Sequence, residues 1–177
     1  MFIVIEGIDG TGKTTVSKIL HNKINNSILT KTPNNSQIRD ILFSNNDLPN
    51  QADYHLFMAD MYDVDYNIVR PNLSDGNTVI CDRWYYSTHI YQLGELRENT
   101  DFTEPDILVV LDIPIKIAME RIKGLDKYEK SDLTKWEDRR ANYLSIKDAD
   151  IILDVRDRTP EDIVETILSL EVSNAQS

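Results

Sequence analysis

The amino-acid sequence predicts an α/β fold in which a five-stranded parallel sheet is flanked by helices on both faces. Short apolar runs alternate with longer helix-like stretches, and a glycine-rich segment joins the first run to the first of these stretches. The runs are mostly continuous in hydrophobicity, which is typical of parallel strands buried on both faces. The predicted strands are Phe2–Ile5, Thr78–Cys81, Ile107–Leu111 and Ile151–Leu153, with Ser27–Thr30 as a weaker fifth.

Helices are predicted in the stretches between the strands, which gives a βαβ series. They are Thr14–Ile24, Ala52–Val69, Tyr85–Leu96, Ile115–Ile122, Leu133–Ile146 and Pro160–Leu170. The last helix has a recognisable start, because Thr159 can cap it and Pro160 suits the first helical position. No linker-like segment divides the chain, so we expect residues 1–177 to form one domain.

Composition and charge exclude several classes of protein. The chain has 177 residues, one cysteine and a formal net charge of −11 at pH 7. One cysteine cannot form an internal disulfide, and no apolar run approaches the roughly 20 residues that span a bilayer. We therefore expect a cytoplasmic protein that binds no membrane and, being acidic, no nucleic acid. Between Asp40 and Ile115 the chain carries three basic and fourteen acidic residues, so individually placed cations must hold any bound anion.

A phosphate-binding loop is the strongest motif. Residues Gly7–Thr14 match G-x-x-x-x-G-K-[ST], after a predicted strand and at the start of a predicted helix. Backbone N–H groups of such a loop surround phosphates, which predicts a P-loop NTPase fold. Lys13 is expected to reach the β- and γ-phosphates of ATP, and Thr14 to offer its hydroxyl to Mg²⁺. The predicted ATP-phosphate contacts are Gly7, Asp9, Gly10, Thr11, Gly12, Lys13, Thr14 and Thr15.

Other motifs narrow the class of phosphate-loop protein. The guanine-binding N-K-x-D motif of GTPases is not found in the sequence. Motor-type ATPases usually carry a glutamate after the strand-end aspartate, whereas Asp82 and Asp112 are followed by Arg83 and Ile113. Small kinases are the class that remains, and in these Asp82 is expected to hold Mg²⁺ through water.

Five segments resemble the thymidylate kinase family and together span nearly the whole chain. They are Ile5–Thr15, Leu56–Asp60, Asp82–Gln92, Pro105–Asp112, and Asp126–Glu129 followed by Arg140–Tyr143. The D-R-W and P-D segments are specific when they occur together with the phosphate loop. The resemblance implies transfer of the ATP γ-phosphoryl group to a deoxynucleoside monophosphate, with dTMP as the expected acceptor, in nucleotide biosynthesis.

The same resemblance implies roles on the acceptor side. Asp9 is expected to contact the sugar 3′-hydroxyl, Phe57 to stack on the base and Tyr91 to screen the sugar 2′ position. Thr88 and Gln92 lie where the family contacts base or sugar. The family is dimeric through helices, so the resemblance also implies a homodimer.

A phosphate acceptor requires positively charged side chains in the site rather than a general base. It is already anionic near pH 7, so catalysis requires positive groups that offset the repulsion between two polyanions. Arg83, at a strand end, is the best candidate for a bidentate grip, and Arg39, on the helix after strand two, is the second. A hydroxyl acceptor, as in deoxynucleoside kinases, would require a carboxylate base near strand two, and residues 31–36 contain none.

A basic segment at about residues 121–132 is interpreted as a short lid over ATP. Its cations are Arg121, Lys123, Lys127 and Lys130. Members of the family carry a catalytic arginine either in the phosphate loop or in the lid, and this loop has Gly10 at that position. We therefore assign the catalytic charge to Arg121 and Lys127, or to Lys123 and Lys127 together. Lysine is a point charge and cannot fork across two oxygens.

One departure from the family concerns the base. The family has an arginine four residues after the stacking phenylalanine, and this chain has Met61, whose thioether cannot donate a hydrogen bond. Either the base preference differs, or Met61 belongs to the core. Three functions are compared: a thymidylate kinase-like enzyme that uses Mg²⁺ and ATP, a deoxynucleoside kinase of the same architecture, and a weakly active nucleotide-binding protein.

Overall fold

The computed structural model describes residues 1–44, 48–98, 101–122 and 133–174. Five strands form one sheet: β1 Phe2–Glu6, β2 Ser27–Lys31, β3 Thr78–Asp82, β4 Ile107–Asp112 and β5 Ile151–Asp154. Their order across the sheet is β2-β3-β1-β4-β5, and every pairing between neighbours is parallel. The predicted five-stranded parallel sheet is thereby confirmed.

Burial of the strands explains how strongly each was visible in the sequence. The central strand β1 is buried at all of its positions. Because successive side chains of a strand point to opposite faces, both faces of the sheet are covered there. The edge strand β2 has three half-buried residues, Ser27, Ile28 and Leu29, and this partial exposure is the reason for its weaker apolar pattern.

Helices occupy the segments between the strands. They are α1 Lys13–Lys23, α2 Ser36–Phe43, α3 Asn50–Val64, α4 Arg70–Ser74, α5 Tyr85–Thr88, α6 Ile115–Arg121, α7 Leu133–Leu144 and α8 Pro160–Asn174. Two π-helical turns, Asp65–Val69 and His89–Leu93, extend α3 and α5. Within the described ranges, none of the helices has the length and apolar character needed to cross a membrane.

Several helix ends differ from the prediction by a few residues, and two of these differences have a clear physical cause. The helix predicted to end at Val69 continues through Pro71, where a proline in a regular α-helix would clash with the carbonyl four residues earlier. A π-turn precedes that proline, and in it the N–H of Arg70 bonds to the carbonyl of Asp65, five residues back. The helix predicted to end at Leu96 stops earlier because Gly94 takes a left-handed conformation, with φ 74°.

Acidic residues lie together at the carboxyl ends of three neighbouring strands. Glu6, Asp82 and Asp112 are the last residues of β1, β3 and β4, which are neighbours in the sheet. Because these strands are parallel, their carboxyl ends lie on the same edge, where open α/β sheets bind ligands. Apolar side chains of the same strands form the core beneath that edge.

Candidate active site

The phosphate loop packs closely against neighbouring backbone. Gly7 has φ 137°, and a Cβ added there would lie 2.3 Å from the carbonyl oxygen of Leu111. Gly10 has φ 82°, and its Cβ would lie 2.5 Å from the carbonyl oxygen of Ala118. Both positions therefore require glycine. An arginine in place of Gly10 would displace α6, so this loop has no room for an arginine at that position.

The side chain of Lys13 is buried within the phosphate loop. Its Nζ donates to the carbonyl oxygen of Ile8 at 2.7 Å and lies 4.0 Å from Oδ1 of Asp9. Burial and the nearby charge of Arg83 lower the pKa of Lys13 to about 8, although neighbouring carboxylates oppose the shift. The ammonium group is therefore still charged at pH 7, and its donors can exchange a protein oxygen for a phosphate oxygen.

Thr14 and Asp82 form a pair suited to a hydrated metal ion. The hydroxyl of Thr14 donates to Oδ2 of Asp82 at 2.5 Å, whereas the buried Oδ1 has no hydrogen-bond partner within the described structure. A buried carboxylate oxygen without a partner is costly, and a cation or its water would satisfy it. Mg²⁺ usually takes one or two carboxylates, with waters and phosphates as its other ligands. The residues therefore fit Mg²⁺.

Arg83 presents its guanidinium from a strained turn directly after β3. Its φ is 75°, a left-handed conformation that is uncommon outside glycine, and its carbonyl accepts a hydrogen bond from Thr32 Oγ1 at 3.1 Å. Nη1 donates to Ser87 Oγ at 2.9 Å and to the hydroxyl of Tyr143 at 3.3 Å, while Nη2 donates to Asp9. These contacts fix the direction of the guanidinium fork.

Asp9 joins the phosphate loop to this arginine. Its Oδ1 accepts from Arg83 Nη2, and its Oδ2 accepts from the hydroxyl of Tyr91 at 2.7 Å. Burial disfavours the carboxylate, but the charges of Arg83 and Lys13 outweigh it and lower the pKa of Asp9 to about 2. Asp9 is therefore ionised at neutral pH. Each carboxylate oxygen has a second lone pair, so either can also accept from a sugar hydroxyl.

Glu6 is a buried carboxylate that the sequence-based site assignment did not include. Its Oε1 accepts from the N–H groups of Trp84 at 2.7 Å and Ser87 at 3.3 Å, and its Oε2 accepts from Ser87 Oγ at 2.6 Å. Burial raises the pKa of Glu6, against the effect of Ser87 and Arg83. Ser87 Oγ also lies 2.8 Å from the hydroxyl of Tyr143 on α7. Glu6 thus anchors the segment that carries Arg83, and a charge at the end of an apolar strand was its only sequence signal.

A cavity of about 540 Å³ brings most of the predicted site residues together. On the donor side its lining includes Gly10, Gly12, Lys13, Thr14 and Thr15. On the acceptor side it includes Asp9, Arg39, Phe57, Arg83, Thr88, Tyr91 and Gln92, and Asp82 and Arg121 complete this set. Gly7 does not line the cavity, nor does Thr11, whose hydroxyl donates to the carbonyl oxygen of Ile8 at 2.9 Å. The roles assigned to individual residues remain predictions.

Met61 lies outside the cavity. Its side chain is fully buried in the hydrophobic core, which favours its interpretation as a packing residue. The wall near Phe57 instead contains Phe43 and Arg39, with the guanidinium carbon 5.3 Å from the Phe43 ring centroid. Arg39 Nη1 also donates to the carbonyl oxygen of Pro33 at 2.9 Å, which holds this arginine at the rim.

Comparison with known proteins places this site in a family. The profile of the thymidylate kinase family matches residues 5–167. The chain belongs to the thymidylate kinase family. The thymidylate kinase of Wolbachia pipientis wMel is 32% identical over 166 residues, covering 82% of this chain and 84% of that protein. A probable thymidylate kinase of Methanocaldococcus jannaschii is 33% identical over 179 residues, covering 95% of this chain and 94% of that protein.

Solved thymidylate kinase structures share the fold. The enzyme from Candida albicans superposes with a TM-score of 0.84 at 23% identity, covering 98% of this chain and 92% of its own. The enzyme from Ehrlichia chaffeensis gives a TM-score of 0.75 at 24% identity, covering 96% of this chain and 97% of its own. The predicted P-loop NTPase fold is confirmed. As a thymidylate kinase family member, the chain is a nucleoside monophosphate kinase that takes its phosphoryl group from ATP.

Of the segment predicted to form a lid, residues 121–132, the structure describes Arg121 and Ile122. Arg121 is the last residue of α6 and lines the cavity, as its predicted catalytic role requires. Lys127 and Lys123 lie outside the described residues. After this segment in the chain, Arg140 on α7 donates to both carboxylate oxygens of Asp112 at 2.7 Å, which attaches α7 to the end of β4.

Proposed function

We propose that the chain phosphorylates dTMP to dTDP with ATP and Mg²⁺. The single observation that carries the proposal is the shared cavity, in which the phosphate loop lies beside Arg83 and Tyr91 and bonds to both through its own Asp9. A donor cradle and an acceptor grip in one cavity can bring the phosphates of two nucleotides next to each other. Catalysis of phosphoryl transfer depends mainly on such positioning and on charge neutralisation.

On the donor side, Lys13 exchanges its bond to the carbonyl of Ile8 for a phosphate oxygen, and the left-handed Gly12 opens the start of α1 toward the anion. Asp82 and Thr14 would hold Mg²⁺ through its water ligands. When bound, the metal offsets the charge of the ATP phosphates. Arg121, at the lid end of the cavity, supplies a further cation to the same phosphates.

On the acceptor side, Arg83 grips the monophosphate with the donors that face the cavity, and Arg39 adds a second positive charge. Among the described residues, the carboxylates that line the cavity are Asp9 and Asp82, and Asp9 is ion-paired with a pKa of about 2. Such a carboxylate is a poor general base, which favours an anionic phosphate acceptor over the hydroxyl of a nucleoside. This observation supports the main function over the deoxynucleoside kinase.

The base-reading part of the proposal rests on the remaining wall. Phe57 and Phe43 give aromatic surface, and Thr88 and Gln92 give polar groups that can pair with a pyrimidine edge. Because Met61 is buried in the core, we assign base selection to these four side chains.

We further propose a cytoplasmic homodimer. The lone cysteine, Cys81, is buried and unpaired, in keeping with a reducing compartment. Two aromatic side chains, Tyr62 on α3 and Tyr66 in the π-turn that follows it, are 48% and 72% exposed. They offer apolar surface for a second copy of the chain. Light scattering after gel filtration tests this, since a monomer mass near 20.4 kDa at micromolar concentration contradicts the dimer.

The substrate is tested by coupled ADP release with a panel of deoxynucleoside monophosphates and nucleosides. We expect the largest kcat/KM for dTMP and no turnover of thymidine. Lys13→Ala should abolish turnover, while Lys18→Ala, an exposed change on the same helix, should leave it unchanged. Turnover of nucleosides alone favours the deoxynucleoside kinase. Retained ATP binding without any turnover favours the nucleotide-binding protein.

A further inference from the structure

The helix that follows the lid segment carries a buried arginine with no assigned role. Arg139 on α7 is only 9% exposed, although arginine is rarely buried to this degree. Its guanidinium carbon lies 4.2 Å from the ring centroid of Tyr91, within the range of a strong cation–π contact. Arg139 does not line the cavity, whereas Tyr91 does. Any effect of Arg139 on the acceptor must therefore act through another side chain.

Tyr91 connects this arginine to the acceptor grip. Its hydroxyl donates to Asp9 Oδ2 at 2.7 Å, and Asp9 Oδ1 accepts from Arg83. The Arg83 guanidinium carbon also lies 5.2 Å from the Tyr91 ring centroid. A cation next to a phenol ring polarises its O–H group, which strengthens the bond that it donates to a carboxylate. The ring is thus in contact with two guanidinium groups and bonded to the carboxylate that pairs with one of them.

Other residues of α7 also attach it to the protein. The neighbouring Arg140 binds both carboxylate oxygens of Asp112, and Tyr143 is buried beside Ser87. These contacts fix the helix at the end of β4 and next to α5. The stacking of Arg139 on Tyr91 adds a contact with the acceptor cluster.

We infer that Arg139 is a positioning residue for the acceptor monophosphate: it holds the Tyr91 ring, and through that ring it keeps Asp9 and Arg83 in their binding geometry. The inference rests on the proposed function, because the acceptor is assigned there.

The test compares Arg139→Met, which keeps bulk but loses charge, with Arg139→Lys, which keeps charge but loses the planar stack. Lys135→Met, an exposed charge loss one turn earlier on α7, is the matched control. We expect Arg139→Met to weaken dTMP binding about fivefold by titration calorimetry, equivalent to about 1 kcal/mol, and Arg139→Lys about twofold. The KM for ATP and the melting temperature should stay close to wild type, a split that a merely structural role would not produce.

A double-mutant cycle supplies the second readout. In a Tyr91→Leu background the Arg139→Met change should have no further effect on dTMP binding, because the ring that transmits it is absent. An equal loss of dTMP and ATP binding, an undiminished effect in the Tyr91→Leu background, or unchanged dTMP binding by both Arg139 variants overturns the inference. If wild type binds dTMP normally in such a case, only the inference fails. If wild type itself does not bind dTMP, the proposed function fails and the inference with it.

Discussion

Replacing Arg83 by lysine tests the acceptor grip while keeping the positive charge. The guanidinium of Arg83 donates to Ser87 Oγ at 2.9 Å and to Asp9 through different nitrogens, which orients its fork. Lysine offers one nitrogen at a single point, so it cannot serve Ser87, Asp9 and two phosphate oxygens together. The change therefore removes the forked hydrogen bonding of the guanidinium group and keeps the net charge.

The magnitude follows from the bonds that lysine cannot make. A charge-assisted hydrogen bond contributes about 1.5–3 kcal/mol, and Arg83→Lys loses one or two of them to the acceptor phosphate. A loss of about 3 kcal/mol corresponds to a decrease of about 100-fold in kcat/KM for dTMP. ATP contacts the phosphate loop instead, so its KM should change less than about threefold.

The assay is steady-state ADP release, with dTMP varied at saturating ATP and then ATP varied at saturating dTMP. Arg97→Lys is the matched control, because this exposed arginine pairs with Glu95 outside the cavity. Its kinetic constants should equal those of wild type. If Arg83→Lys keeps its kcat/KM for dTMP within about threefold of wild type, Arg83 does not hold the acceptor phosphate and the reasoning is refuted.

Three further predictions concern the donor side. Asp82→Asn should raise the Mg²⁺ concentration needed for half-maximal activity at least tenfold, at about 1.4 kcal/mol, with ATP binding in EDTA unchanged; an unaltered Mg²⁺ titration would contradict this. Lys13 is protonated below its pKa of about 8 and loses its charge above it, so kcat/KM for ATP should be flat near pH 7 and fall above pH 8. A flat profile to pH 9.5 would show that this pKa does not govern ATP capture. Gly10→Ala should lower the free energy of unfolding by about 3 kcal/mol in urea denaturation, because backbone strain and a steric clash add. Gly76→Ala, at φ 78° with open space around it, should cost about 1–2 kcal/mol, and equal losses would contradict the clash.

The sheet was predictable because its strands are buried. β1, β3 and β4 are almost wholly enclosed, so each left a continuous apolar run in the sequence. Helix α2 was expected only as the location of Arg39, since it is only eight residues long. Its start was nevertheless present in the sequence as Asn35, whose side chain accepts from the N–H groups of Gln37 and Ile38.

The phosphate loop and the acceptor residues were predictable because a motif fixes their order in the chain. Residues that act through distant contacts were not. Glu6 bonds to Ser87 across 81 residues, and Arg139 contacts Tyr91 from another helix, so no spacing could link either pair. The position of Met61 was open for the same reason, because only packing decides whether a methionine on a helix faces a cavity or the core.

The most direct test of the central claim is phosphorus NMR of a mixture of the protein, Mg²⁺, ATP and dTMP. If the chain transfers phosphoryl groups between two nucleotides bound in one cavity, dTDP and ADP form in equal amounts and no inorganic phosphate accumulates. Lys13→Ala should form neither product. Release of inorganic phosphate without dTDP would contradict the account. So would a failure to consume dTMP while a parallel mixture with thymidine in place of dTMP forms dTMP.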